Sequence, residues 1–221
     1  MASSESIRML ADCIVSGVIA YLLGSIPFGL VLVRLFRGID VRTTGSGNIG
    51  TANVARVAPG LGLLTLFFDS AKGLAAVLVG RGIALHRLAG VSDLRYVAAI
   101  TGLSALMAII GHVFPVFLKF KGGKGVATAM GAFLGLAPLA VLVLLVFYIV
   151  IYAIWHYTSL ASILSAALFP VVAGVMMPPV QRPVLLPFLI AAALLIIVKH
   201  HENIGRLLAG KENRLDLKKK A

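Results

Sequence analysis

Three segments of the 221-residue chain, two of them rich in glycine, carry side chains that bind oxyanions. The first runs Gly45-Ser46-Gly47-Asn48-Ile49-Gly50-Thr51-Ala52-Asn53-Val54-Ala55-Arg56. Its start matches G-x-G-x-x-G. A dinucleotide fingerprint needs a strand before it and an acid about 20 residues after it. Here an apolar helix precedes it, and Asp69, the acid at roughly that spacing, lies inside another. The chemistry that fits better is a backbone anion nest. Gly45, Gly47 and Gly50 let successive N–H groups turn toward one oxyanion. Ser46, Asn48 and Asn53 add donors, and Arg56 adds a fork suited to phosphate. The second segment, Lys121-Gly122-Gly123-Lys124-Gly125, has P-loop composition but lacks the Ser or Thr that must follow its lysine. A basic cytoplasmic loop would explain the lysines but not the three glycines. A helix starting near Val126 would aim its first amides at the same place, a second candidate phosphate site. In the third, His200-His201-Glu202-Asn203, adjacent histidines leave a helix on different faces. His200 and Asn203, at i and i+3, share one. An amphipathic helix holding Arg206 and Lys211 at lipid headgroups is the competing explanation.

Other polar residues have plainer explanations. Asp69 and Lys72 lie inside an apolar run, where charge is costly, and at i and i+3 they can neutralise each other. His112 reads as a hydrogen-bonded interior histidine. The eight acids are scattered singly and Cys13 is the one cysteine, so no metal site and no disulfide is expected.

The elements that must position these groups are membrane helices. Hydrophobic types make up 60% of the chain and charged types 13%, with a mean hydropathy of +1.02. Soluble domains carry roughly 45–50% apolar and about 25% charged residues. A soluble globular domain and a disordered chain are therefore both excluded. At about 20 residues per span there is room for six or seven spans and no separate soluble domain. The expected spans are 7–35, kinked near Pro27, then 60–79, 96–118, 159–177 and 184–198, with an apolar run over 126–155 containing Pro138. Gly131 and Gly135 fit close helix packing.

Lys and Arg total 20 against eight acids, a formal +12. Four of the 20 lie in 34–56, three in 119–124 and seven between Lys199 and Lys220, 14 in all. Dividing 126–155 into two short helices puts all three basic segments on one side, as the positive-inside rule favours. The expectation is one all-α domain over 1–221. It is a polytopic bundle of seven transmembrane helices, two of them short, with the N-terminus outside and the C-terminus cytoplasmic. Nucleic acid is a poor partner for a chain with so little polar surface, and no obligate protein partner is implied.

Together with Gly24-Ser25-Ile26-Pro27-Phe28-Gly29 and Thr158-Ser159-Leu160-Ala161-Ser162, these segments stand in a familiar order. Over nearly its whole length the chain resembles the bacterial integral-membrane glycerol-3-phosphate acyltransferases that use acyl phosphate. The resemblance implies a seven-helix fold in the bacterial inner membrane with its active site on the cytoplasmic face. It implies transfer of a fatty acyl group from acyl phosphate to the 1-hydroxyl of glycerol 3-phosphate. The products are lysophosphatidic acid and phosphate, the route is phospholipid synthesis, and neither a metal nor another cofactor is needed. Ser46, Arg56, Lys124, His200 and Asn203 would form the glycerol-3-phosphate site, with Ser159 in addition. Ser46, His200 and Asn203 are the catalytic candidates. Arg56, Lys124, Asn48, Asn53, Ser159 and the glycines 45, 47, 50, 122, 123 and 125 are candidates for substrate binding. The 45–50 loop would cradle the acyl phosphate. Lys124, Arg56 and His200 are expected to hold a phosphate dianion. No histidine is followed five residues later by aspartate, so a His-x4-Asp mechanism is absent. A small anion transporter is the alternative of a different class. It would need repeats or broken helices about a midplane site, whereas these motifs cluster in one set of loops.

Overall fold

The computed structural model describes residues 2–88 and 93–215, and among them all regular structure is helical. Lys218 to Lys220 of the basic C-terminal segment lie outside the described residues. The helices are α1 (Ala2–Ser25), α2 (Phe28–Arg37), α3 (Thr51–Val57), α4 (Pro59–Leu88) and α5 (Leu94–Val113), followed by α6 (Val126–Leu136), α7 (Pro138–Trp155), α8 (Thr158–Met176), α9 (Arg182–Val198) and α10 (His201–Leu208).

Among the described residues five stretches are long and apolar enough to cross a membrane: Ser6–Arg37, Pro59–Arg87, Leu94–Leu118, Pro138–Trp155 and Thr158–Met176. The pair α9 and α10, bent by 55°, makes a sixth if counted as one span. Of the two short helices expected in 126–155, only one is short. The run divides at Ala137, which leaves the helical region with φ −147 and ψ 68. That gives α6 of 11 residues and α7 of 18. At 1.5 Å per residue α6 is about 16 Å long, about half a hydrocarbon core of ~30 Å. Pro138 starts α7, where its missing N–H costs nothing.

Pro27 does more than kink the first span: it ends α1 at Ser25 and restarts the chain as α2. The break leaves the Ile26 carbonyl accepting from the Lys72 ammonium at 2.7 Å. Lys72 also pairs with Asp69 at 2.7 Å and meets His112 Nδ1 at 3.0 Å, so the two charges expected to neutralise each other do so inside the bundle. The span expected over 60–79 continues as helix as far as Leu88.

Glycine lets the buried helices touch. A Cβ on Gly131 would lie 1.8 Å from the Ser70 carbonyl oxygen, and one on Gly73 2.1 Å from that of Thr128, so α4 and α6 meet backbone to backbone. The largest core cluster joins α5 to α9 through Ile109, Phe133, Leu144, Phe169 and Leu189, among others. Many apolar side chains of α7, such as Leu139, Val146 and Ile154, remain exposed, as suits a lipid-facing helix.

Candidate functional site

Three loops and the corner between α9 and α10 meet around one cavity of about 350 Å³. Its polar end is lined by Ser46, Asn48, Arg56, Lys124, Ser159, His200, Asn203, Arg206 and Glu212. Its other arm is lined by apolar residues of α6, α7 and α8, including Met130, Phe133, Leu144 and Phe169.

The first glycine loop is built on Asn53. That side chain is 2% exposed. Its Nδ2 donates to the carbonyls of Val41, Thr44 and Asn48, at 3.1, 3.0 and 2.9 Å. Its Oδ1 accepts from the Ser46 amide at 2.9 Å. Gly45 and Gly47 take positive φ of 54° and 69°, which glycine adopts without strain. The amides of Ser46, Gly47 and Gly50 are all satisfied inside the loop, by Asn53 Oδ1, the Thr44 carbonyl and Asn48 Oδ1 respectively. These three are not free to form the nest expected from the glycine spacing. The loop is a closed platform presenting the exposed Ser46, with Asn53 acting through the backbone that it ties together. Gly50 lines the cavity, whereas Gly45 and Gly47 do not.

The second glycine loop packs on the end of α5. The Gly122 amide donates to the Val113 carbonyl at 3.1 Å, and that of Gly123 to the His112 carbonyl at 3.0 Å. A Cβ on Gly122 would meet the His112 carbonyl oxygen, and one on Gly123 would lie 2.1 Å from His112 Nε2. These glycines therefore let the loop lie flat on His112, and neither lines the cavity. Gly125, with φ 86°, starts α6, whose first turn has no side-chain cap. Gly125, Val126 and Ala127 line the cavity, so this helix start faces it as the sequence suggested.

Lys124 reaches across to donate to Asn203 Oδ1. Burial, then the repulsion of Arg206, holds its ammonium pKa below the ordinary lysine value. Arg56, on α3, is shifted downward by burial as well. His200 is 3% exposed, and its Nδ1–H donates to the Ile196 carbonyl at 2.8 Å. That bond fixes the tautomer and leaves Nε2 as an acceptor. Burial pushes the imidazole pKa down to about 4. At neutral pH His200 is therefore uncharged. The sequence placed it with Lys124 and Arg56 as a holder of a phosphate dianion, and here it offers Nε2 as an acceptor. His201 is exposed and turns its Nδ1 to the Val198 carbonyl instead.

Two residues central to this arrangement were not among the candidates. Glu212 accepts from Ser159 Oγ at 2.8 Å, Asn203 Nδ2 at 2.6 Å and Arg206 Nε at 2.7 Å. Burial raises its carboxyl pKa, but these bonds outweigh that and hold it below the usual glutamate value. Arg206 lines the cavity rather than lying among lipid headgroups. The one available signal was arithmetic: in a chain with only eight acids, Glu212 stands shortly after the third motif. Among the described residues no group of three His, Cys, Asp or Glu side chains could hold a metal ion.

Residues 14–210 match the family described as glycerol-3-phosphate acyltransferase. Curated relatives of that name include one from Trichlorobacter lovleyi, 48% identical over 196 residues, covering 88% of this chain and 93% of the relative. Another, from Geobacter metallireducens, is 50% identical over 196 residues with the same coverage. The crystal structure of the integral membrane glycerol 3-phosphate acyltransferase PlsY, in its glycerol 3-phosphate form, is similar with a TM-score of 0.80 and 36% identity. The match covers 92% of this chain and 96% of that one. The lysophosphatidic acid form of the same enzyme gives a TM-score of 0.78 at 36% identity, covering 93% of this chain and 96% of that one.

Proposed function

This chain belongs to the glycerol-3-phosphate acyltransferase family, and from that premise we propose that it moves a fatty acyl group from acyl phosphate to the 1-hydroxyl of glycerol 3-phosphate. It is a multi-pass membrane acyltransferase. The observation that carries the fuller reading is the shape of the cavity. A basic polar end and an apolar arm belong to one space, which suits a phosphate joined to an acyl chain.

Lys124, Arg56 and Arg206, with Ser46, bind the phosphate groups of the two substrates. The glycerol hydroxyl attacks the acyl carbonyl carbon, the bond from that carbon to the phosphate oxygen breaks, and inorganic phosphate leaves. Acyl phosphate already carries a good leaving group, so no covalent enzyme intermediate is required. Neutral His200 accepts a hydrogen bond at Nε2 from the neighbouring 2-hydroxyl and so orients the glycerol, leaving the proton of the attacking 1-hydroxyl to another acceptor. With a pKa of about 4 it is a poor proton acceptor at neutral pH. A phosphate monoester, with a second pKa near ~6, is better matched. The phosphate of glycerol 3-phosphate folds back and takes the proton, and Lys124 and Asn203 hold that bent form. No cofactor enters this scheme. The site faces the cytoplasm of a bacterial inner membrane, with the N-terminus outside and the C-terminus inside, because the basic segments then share the inner side.

Purified protein given myristoyl phosphate and glycerol 3-phosphate should release lysophosphatidic acid and phosphate one to one, with or without a chelator. Release of phosphate with no lysophosphatidic acid would refute the transfer.

A further inference from the structure

We propose that the stacked pair Phe133–Phe169 is the floor of the apolar arm and sets how far an acyl chain runs into the protein. The inference rests on the reading above, in which the donor's chain occupies that arm. The two rings lie 4.0 Å apart at 14° to one another, and both side chains are 5% exposed. They come from α6 and α8 and are the last lining residues along those helices from the polar end, and Val141 of α7 lines the same cavity. Deeper neighbours in the core, Ala140 and Ala173, do not line the cavity. Along α8 the lining residues Ser159, Ser162, Ala166 and Phe169 follow helical spacing and form one stripe from the polar end to the floor.

The stripe gives a length. Ser159 to Phe169 is ten residues, about 15 Å at 1.5 Å each. An extended polypeptide covers about 3.3–3.6 Å in three bonds, so an extended chain of carbons advances ~1.2 Å per bond. About twelve bonds fit between the level of Ser159 and the floor. A donor dissolved in a bilayer gains little by entering the arm, because lipid tails are as apolar as its walls. Discrimination by length is therefore steric. A chain that overruns the arm must displace closely packed rings or bend, an overpacking cost equivalent to roughly five- to hundredfold in rate.

The test is a series of acyl phosphates from decanoyl to stearoyl, competed in pairs over the full-length protein in liposomes. Competition makes the readout a ratio, independent of how much protein folds. The wild-type profile should fall beyond about fourteen carbons. Phe169→Ala should move the fall by two or more carbons toward longer chains, with Phe169→Leu between. Ala166→Phe, about 4.5 Å nearer the polar end, should move it by about four carbons the other way. KM for glycerol 3-phosphate should not change. Superimposable profiles, or a wild-type profile flat to stearoyl, would overturn the floor. Absence of turnover with every acyl phosphate would instead overturn the donor assignment beneath it.

Discussion

Glu212 joins two helices through one carboxylate. Ser159 of α8 and both Asn203 and Arg206 of α10 donate to it. Its place just after the third motif is the one mark the sequence gives, because its importance lies in contacts that only folding makes. His200 and Asn203 were legible from their i, i+3 spacing, and Lys124 and Arg56 from the phosphate-binding character of their loops. Their protonation and partners were not, since these depend on burial. Replacing Lys124 by Ala removes a charge-assisted bond worth about 1.5–3 kcal/mol, so kcat/KM should drop at least tenfold. Arg95→Ala, at the far end of α5, should change it little. Glu212 has a depressed pKa in the folded state. Its stabilisation is present above the unfolded glutamate pKa and is lost as pH falls through the folded value. Melting curves of Glu212→Gln should start lower at pH 7 and decline less on acidification than those of the wild type. The proton acceptor can be assigned in the same way. The acidic limb of the pH–rate profile should persist in His200→Gln and move upward with the phosphonate analogue of glycerol 3-phosphate. A limb that vanishes in His200→Gln would make the imidazole the base.

At the scale of elements, composition and apolar run length were enough to place the spans, because lipid requires long apolar helices whatever their neighbours. The breaks were harder to place. Pro27 reads as a kink in sequence, yet it divides the helix because Lys72 is positioned to take the Ile26 carbonyl. The glycines were legible as a pattern but not as a function. Gly122 and Gly123 serve contact with α5, and Gly45 and Gly47 serve the turn around Asn53. Gly123→Ala should therefore cost more than tenfold in activity. Its Cβ would meet the buried His112 ring, which Lys72 holds in place. Gly82, within α4, has open space where a methyl group would stand, with nothing within 4 Å. Gly82→Ala should leave activity intact and raise thermal stability slightly, by about 0.5–1 kcal/mol. Thermal melts and turnover of the two variants, measured side by side, separate close contact from helix propensity.

For the molecule as a whole, the proposed function has the distribution of charge set the orientation and one cavity take both substrates. In the sequence seven of the cations stand at or after Lys199, and Lys121 and Lys124 share the second glycine loop. A membrane-impermeant thiol reagent applied to intact cells, in a Cys13→Ser background, should label Arg95→Cys and leave Lys121→Cys unlabelled. The reverse pattern would invert the topology. The central claim is that the polar end of the cavity receives a bare acyl phosphate. The most direct measurement gives purified protein glycerol 3-phosphate with either myristoyl phosphate or myristoyl-CoA and follows lysophosphatidic acid. Formation from the phosphate alone, with little or none from the thioester, is the predicted result. Comparable rates from both donors would contradict it.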